Sequence, residues 1–499
     1  MLVDVRPIHK LRGDRAVDVG ASLAPVLGAL CEDSVDLSRL RVVCDWVQYK
    51  GNFRQPVDVR PILAPGTDLL AAHGTAPVAE EIEVAIDLRR SGDGGIKDAV
   101  HEALGNRQDA SVPSPPARVE LEDWMPTSRS CVWSFNALYW QALDLWEQAT
   151  GRQYEQALPG GESDARNRGA VGELVADMLT GFDDLAARNA LPEELYVVEL
   201  GVGNGNQAKV WLDEFAAADR AHGTEYYRRL QYLMCDYSPH VLELARKAVT
   251  DHAAHVSSFV LDATAPTTAL GFLRGKVFLV YISNVYDNLP TEEVARIGGR
   301  SYRVEARAYL ARGDVVDLAE YVAASEAAVP ALIHKLLRLG PALLAEALPE
   351  RFPGVETAVG FWQRAWQALK LEERYVPLPG LDTYRIAPGV GGEVLRPLLE
   401  SGHDVRMHVN NGAVASFVDT IGLLHPFGRL LCHDLFVTDT HQYRTGFRGP
   451  GKYDGSVVNW VNGPLLQLIG SRKGFDVCYA PFAHRSGTNI VTMTARVRD

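Results

Sequence analysis

Between residues 195 and 290 the chain repeats one hydrophobic pattern. A short run of β-forming residues ends in an acidic or polar residue, and a stretch with helical spacing follows. The first run closes on Glu199-Leu200 and meets three alternating glycines, Gly201, Gly203 and Gly205. Ala208, Val210, Trp211, Leu212 and Phe215 then recur at helical spacing. The second run, 231–236, ends in Asp236. Ser238 or Asp236 is placed to cap the next helix, with Pro239 in its first turn. The third run ends in Asp262, before Ala263 and Thr264. The fourth, 276–283, carries six apolar residues in succession and predicts a strand buried on both faces of a parallel sheet. Asn284-Val-Tyr-Asp287-Asn-Leu-Pro290 follows it.

Toward the C-terminus, 413–424 predicts an amphipathic helix, 428–437 a fifth strand, and 475–479 with 489–497 two strands joined by a loop. Residues 291–400 interrupt this order. Their spacing predicts helices over 304–318, 331–348, 355–371 and 393–399, where Phe361, Trp362 and Trp366 either line a pocket or pack the helices together. The run 405–410 returns the chain toward the sheet and is expected to bring Arg406 and His408 near its mouth.

Upstream, 1–104 holds strand-like runs at 40–46 and 82–86 and is expected to form a separate α+β domain of unknown role. Asp-Val-Arg-Pro-Ile occurs at 4–8 and again at 58–62, as a duplicated unit or by chance. The proline-rich, polar stretch 105–118 predicts a linker. A helical lead-in spans 119–190. Trp133, Leu138, Tyr139, Leu143 and Trp146 lie at helical spacing within it, as core or as a ligand cage. The polar segment 159–168 is either a loop over a ligand or a surface connection. The expected division is therefore 1–104, 105–118, 119–190, 191–290, 291–400 and 401–499.

Alternating glycines after a strand permit positive φ and close approach of a ligand to the backbone, and the helix N-terminus behind them offers free N–H groups. Gly203, Gly205 and Ala208 satisfy the dinucleotide pattern G-x-G-x-x-[G/A]. Glu199 argues for a different ligand. An anion beside the turn repels a pyrophosphate and suits a molecule carrying a sulfonium and an ammonium group. An acid followed by G-x-G-x-G resembles the first motif of class I S-adenosylmethionine-dependent methyltransferases. The resemblance implies an α/β fold: a seven-stranded, mostly parallel Rossmann-like sheet with an antiparallel C-terminal hairpin and a helical insertion between strands four and five. It implies S-adenosyl-L-methionine as cofactor and Asp262 with Ala263 beside the adenine. Asp236, at the end of the second strand, can accept both ribose hydroxyls. Asn206, Tyr237 and Asn284 complete the candidate cofactor contacts. Asn284 and Asp287 are candidates for orienting the acceptor, and His408, His433 and Asp434 are candidate bases. His433 alternates with apolar neighbours and is equally a hydrogen-bonded histidine at a strand end.

Across about residues 130–499 the motif order resembles MidA-like methyltransferases, whose mitochondrial members methylate arginine on a respiratory-complex subunit. The similar segments are Asn136-Ala-Leu-Tyr139, Glu199-Leu-Gly-Val-Gly-Asn-Gly205, Asp236-Tyr-Ser-Pro239, Ser283 to Pro290, and Gly449-Pro-Gly-Lys-Tyr-Asp454. Val285 stands where that family has a glutamate, and His433-Asp434-Leu435 replaces its acid–Tyr–Gly step. A carboxylate that would orient a guanidinium is thereby missing.

Composition changes this picture little. The 499 residues carry a formal net charge of −13, which weighs against a large nucleic-acid footprint and leaves a protein or small-molecule methyl acceptor. The six cysteines (31, 44, 131, 235, 432 and 478) include no C-x-x-C pair, so no metal site is expected. No uninterrupted apolar run approaches the ~18 residues of a membrane span, and the N-terminus lacks an apolar leader, so a cytoplasmic protein without membrane contact is expected. A homo-oligomer or a partner bound through the N-terminal region remains open. So do two other functions: a binding or assembly protein that retains the fold, and a nicotinamide oxidoreductase.

Overall fold

The computed structural model describes residues 2–6, 19–32, 36–49, 51–66, 79–89, 118–151, 153–154, 167–444 and 448–498. Among these, two large sheets organise the chain. The core sheet has seven strands in the spatial order Phe475–Pro481, Val491–Val497, Leu424–Asp434, Val277–Ser283, Leu195–Leu200, Leu230–Asp236, Val256–Val260. Val491–Val497 runs antiparallel to both neighbours, and the other pairs are parallel. Helices Arg168–Ala187 and Asn206–His222 pack on one face through Phe182, Trp211 and Phe215. Asn411–Ile421 and Gly463–Arg472 pack on the other through Phe417, Leu465 and Leu466. Val277 to Ile282 are all buried, because helices cover both faces of this central strand.

The second sheet corrects two expectations. Its main path is Leu2–Arg6, Leu40–Asp45, Ala79–Asp87, Val57–Leu63, Lys370–Pro377, Arg300–Ala311, Glu293–Ile297, Val405–His408. The N-terminal strands are thus not a separate domain: they join strands of the 291–400 insertion, where Ile62 pairs with Tyr375. Nor is the insertion wholly helical. The helix expected over 304–318 is a strand to Ala311, and a helix only from Arg312 to Tyr321. Val304, Ala306, Ala308 and Leu310 alternate with Glu305, Arg307 and Tyr309, a period of two hidden by the helix preference of alanine. Helices Val329–Ala347 and Val355–Ala368 form as expected.

Phe361, Trp362 and Trp366 are fully buried against Phe135, Leu138 and Trp146 and hold the helical layer together rather than line a pocket. The segment Glu326–Ala347 has the length and apolar content to cross a membrane. Here it breaks at Gly340 (φ 75) before Pro341, and Val329, Ile333, Leu336 and Leu344 pack into the same layer. Residues 105–117 of the expected linker, 159–166 of the polar segment, and residues 7 and 8 of the first Asp-Val-Arg-Pro-Ile copy lie outside the described residues.

Candidate functional site

A cleft of about 670 Å³ opens beyond the carboxyl ends of the core strands. The glycine turn forms one wall. Gly201, Gly203 and Gly205 all have positive φ (78°, 57° and 80°), yet each answers to a different neighbour. A Cβ on Gly201 would lie 2.4 Å from Val285 Cγ2, and one on Gly203 2.4 Å from the Tyr154 hydroxyl. One on Gly205 would lie 2.5 Å from the Ala245 Cα. Gly201 and Gly203 line the cleft. Gly205 instead lets helix Pro239–Ala248 pack against the turn.

Two carboxyls sit under this turn. Glu199 is 2% exposed and accepts a hydrogen bond from the Tyr232 hydroxyl (2.6 Å). Burial, with the charge of Asp236 added, pushes it up to about 8. Asp236 accepts from the backbone N–H of Gly203 (3.2 Å) and of Ser238 (3.0 Å), and burial pushes it up to about 6. Ser238, not Asp236, caps the following helix by accepting from the Val241 N–H. Asp262 turns back on Thr264, accepting from its N–H and hydroxyl (both 2.8 Å), and lines the cleft with Ala263. Tyr237 lines the cleft half-exposed, its hydroxyl accepting from Gln141 Nε2 (2.9 Å). Asn206 does not reach the cleft; its flanking residues Asn204 and Gln207 do.

Gln207 is the residue that sequence reasoning missed. It is 7% exposed, and neither Oε1 nor Nε2 has a hydrogen-bond partner. A buried amide without partners is costly unless a ligand satisfies it. Its position in the first turn of the helix behind the glycines was the available signal.

Opposite the glycine turn, Asn284 (φ 53°) leaves the fourth strand and starts the loop that carries Asp287 into the cleft. Asp434 lies beneath that loop and accepts from its backbone. His433 points away: its Nδ1 meets the Thr492 hydroxyl (3.0 Å) and its ring packs against Tyr281 and Phe482. His408 does not approach the cleft at all. Strand Val405–His408 pairs with Glu293–Ile297 in the second sheet, and residues two apart share a face. Arg406 and His408 therefore both enter the buried ion cluster of that sheet, where His408 is 3.6 Å from Glu293. Burial lowers its pKa there. Among the described residues no group of three His, Cys, Asp or Glu side chains is placed to hold a metal.

The remaining wall is aromatic, with Trp133, Tyr139 and Trp140 from the helical lead-in and Tyr49 from the N-terminal region. Tyr49 reaches the cleft because residues 51–54 dock on 449–460. The Lys452 N–H donates to the Gly51 carbonyl (2.9 Å), and a Cβ on Gly451 would lie 2.4 Å from the Tyr49 ring.

Glu199 makes the ligand-free protein pH-sensitive. Its folded pKa (about 8) lies above its ordinary 4.5, so the folded state holds a proton that the unfolded state releases. Its contribution to stability is present below 4.5 and is lost as pH rises toward 8. We expect the melting temperature to fall between about pH 5 and pH 8, and Glu199→Gln to flatten that fall. An unchanged slope in the variant would assign the dependence elsewhere.

No family model matches this chain, and no curated protein matches it. Among solved structures, a COG1565 superfamily protein from Burkholderia thailandensis aligns at 14% identity over 75% of this chain and 87% of that one, with a TM-score of 0.44. Another COG1565 member from Burkholderia thailandensis, bound to S-adenosyl-homocysteine, aligns at 14% identity over 75% and 88%, with a TM-score of 0.44. DszA carbon methyltransferase aligns at 10% identity over 96% and 88%, with a TM-score of 0.32. At these TM-scores the likeness carries no weight in the assignment, which rests on the chain's own geometry.

Proposed function

We propose that this protein is an S-adenosyl-L-methionine-dependent methyltransferase acting on a protein side chain or a small molecule. The observation that carries the reading is the charge of the glycine-turn wall. Glu199, Asp236 and Asp262 face it, and among the described residues lining the cleft the only basic side chain is Arg485. A pyrophosphate would be repelled by the Asp236 carboxylate, whereas a sulfonium nucleoside would be drawn to it and would favour loss of the proton that burial leaves on Glu199. The strand order supports the same reading: five parallel strands extended by an antiparallel hairpin, as expected of a class I methyltransferase.

The residues present fit the cofactor. The orphaned Gln207 amide would hold its amino-acid end, Asp236 its ribose hydroxyls, and Asp262 with Ala263 its base. When bound, the cofactor supplies an electrophilic methyl group. The chain's own part is to align an acceptor with it and to exclude water. The aromatic wall and the 284–290 loop are placed for both.

Calorimetry with S-adenosylhomocysteine and with NAD tests this directly. We expect only the first to bind. Asp236→Ala should weaken it about 100-fold, since each hydrogen bond to a carboxylate is worth about 1.5–3 kcal/mol. Gln207→Leu should weaken it about tenfold, by the same energetics. NAD binding with no response to S-adenosylhomocysteine would overturn the proposal. Tritiated methyl donor incubated with fractionated lysate then asks whether label enters protein or small molecules.

A further inference from the structure

Asp287 and Asp434 form a pair to which the reading above assigns no role. Asp434 ends strand Leu424–Asp434, fully buried. Four backbone N–H groups surround its carboxylate. Oδ2 accepts from Val285 (3.1 Å), Tyr286 (2.9 Å) and Asp287 (3.4 Å), and Oδ1 from Leu435 (2.7 Å). Such a cradle favours the charged form. Asp287 sits in the loop that supplies three of those donors. It is 5% exposed, lines the cleft and accepts from Asn288 Nδ2 (2.8 Å), and its own backbone N–H donates to the Asp434 carboxylate (3.4 Å), which sets the two carboxyls side by side.

Neither forms a salt bridge among the described residues. The titratable groups whose charge they feel or influence are Cys432 on the fifth strand, Tyr286 in the loop, and Tyr49 from the N-terminal segment. Arg448 acts on Tyr49. Two neighbouring buried carboxylates do not both stay ionised. Burial and the Asp434 charge hold Asp287 well above the usual carboxylate range, while burial, opposed by its N–H donors, leaves Asp434 at about 6.

We propose that Asp287 and Asp434 share one proton, and that Asp287, once ionised, takes the proton of the methyl acceptor while Asp434 anchors and tunes it. The catalytic step rests on the methyltransferase reading; the shared proton does not. In that step a lone pair on the acceptor's oxygen or nitrogen forms the bond to the methyl carbon. The carbon–sulfur pair leaves on sulfur as a neutral thioether. The acceptor's proton passes to the Asp287 carboxylate and from there to water. The acceptor atom must therefore carry a proton, as a hydroxyl or an N–H does and a thioether does not. Asp287 is the catalytic residue and Asp434 a positioning residue.

Infrared spectra of the full chain across a pH series test the pair without any acceptor, through the C=O stretch of a protonated carboxyl. The wild-type minus Asp287→Asn difference should contain such a band at neutral pH. In Asp434→Asn, with the neighbouring charge gone, the band should titrate away at least about one pH unit lower, about tenfold in proton affinity. A difference spectrum without the band, or a midpoint unmoved by Asp434→Asn, overturns the pair. If Asp434→Asn does not fold, the Asp287→Asn difference decides alone. For the catalytic step, the probe is tritiated methyl donor with the lysate fraction that the wild type labels. Asp287→Asn should lose about 10²–10⁴-fold in transfer while its S-adenosylhomocysteine affinity stays unchanged. Transfer at the wild-type rate overturns the base role. A wild type that binds no S-adenosylhomocysteine sinks the methyltransferase reading, and with it the base role, while the infrared result still settles the shared proton.

Discussion

Replacing Arg406 with methionine is expected to destabilise the protein by about 3–5 kcal/mol, the usual result of breaking a buried ion cluster from one side. The Arg406 guanidinium is almost fully buried in the second sheet. It grips Glu373 with both terminal nitrogens (2.9 and 2.7 Å), and its Nε donates to Glu293. Arg60 bridges Glu373 (2.8 Å) and Glu83 (3.0 Å), and Arg41 meets Glu83 (3.3 Å). These charges come from residues 41–83 and from 293–406. Their balance holds the N-terminal strands to the insertion. Without Arg406, Glu293 loses its guanidinium, and among the described residues Arg60 is the remaining ion-pair partner of Glu373. The Glu373 carboxyl, which Arg406 and Arg60 hold below the usual range against its burial, should then rise in pKa, so the loss should be larger at pH 8 than at pH 5. Arg406→Lys keeps the charge but not the two-pronged geometry and should fall between. Urea denaturation of the three proteins measures this. A methionine variant as stable as the wild type would show that the cluster does not hold the two regions together.

Gly205→Ala is expected to cost about 3 kcal/mol or more, by the left-handed backbone penalty of about 1–2 kcal/mol together with a clash. The new Cβ would meet Ala245 Cα at 2.5 Å and the Ala245 carbonyl oxygen at 2.9 Å, and a helix backbone cannot step aside. Gly203→Ala offers the contrast. Its φ is also positive, but its Cβ would meet only the end of the Tyr154 side chain. That variant should lose about 1–2 kcal/mol of stability. It should lose most of its affinity for S-adenosylhomocysteine, because it narrows the cleft itself. Denaturation and calorimetry on both variants separate packing from binding. Equal stability losses would contradict the separate tasks given to the two glycines.

Different forces made different parts of this protein legible. Glu199, Gly201, Gly203 and Asp236 could be placed along one cleft because a strand, its turn and the next helix are set by neighbouring residues. Alternation, positive φ and capping act within a few positions. The six apolar residues of the fourth strand announced burial on both faces for the same reason. Residues 304–311 were misread because alanines at alternate positions fit either period, and only pairing with 370–377 selects the strand. His408 was expected at the cleft because it follows the insertion in sequence. The register with 293–297 turns it into the ion cluster instead.

The sequence by itself determined the glycine turn, the acids at the strand ends and the hydrophobic order of the core strands, since each depends on contacts a few residues apart. Tertiary structure alone decided that Tyr49 joins the cleft, that Gln207 is left without a partner, and that Asp434 lies under the loop carrying Asp287. It also decided that strands Leu2–Arg6, Leu40–Asp45, Val57–Leu63 and Ala79–Asp87 share a sheet with strands between residues 293 and 408. Those arrangements depend on charges and backbone groups that meet across up to hundreds of positions, and no local pattern records which of them will face each other.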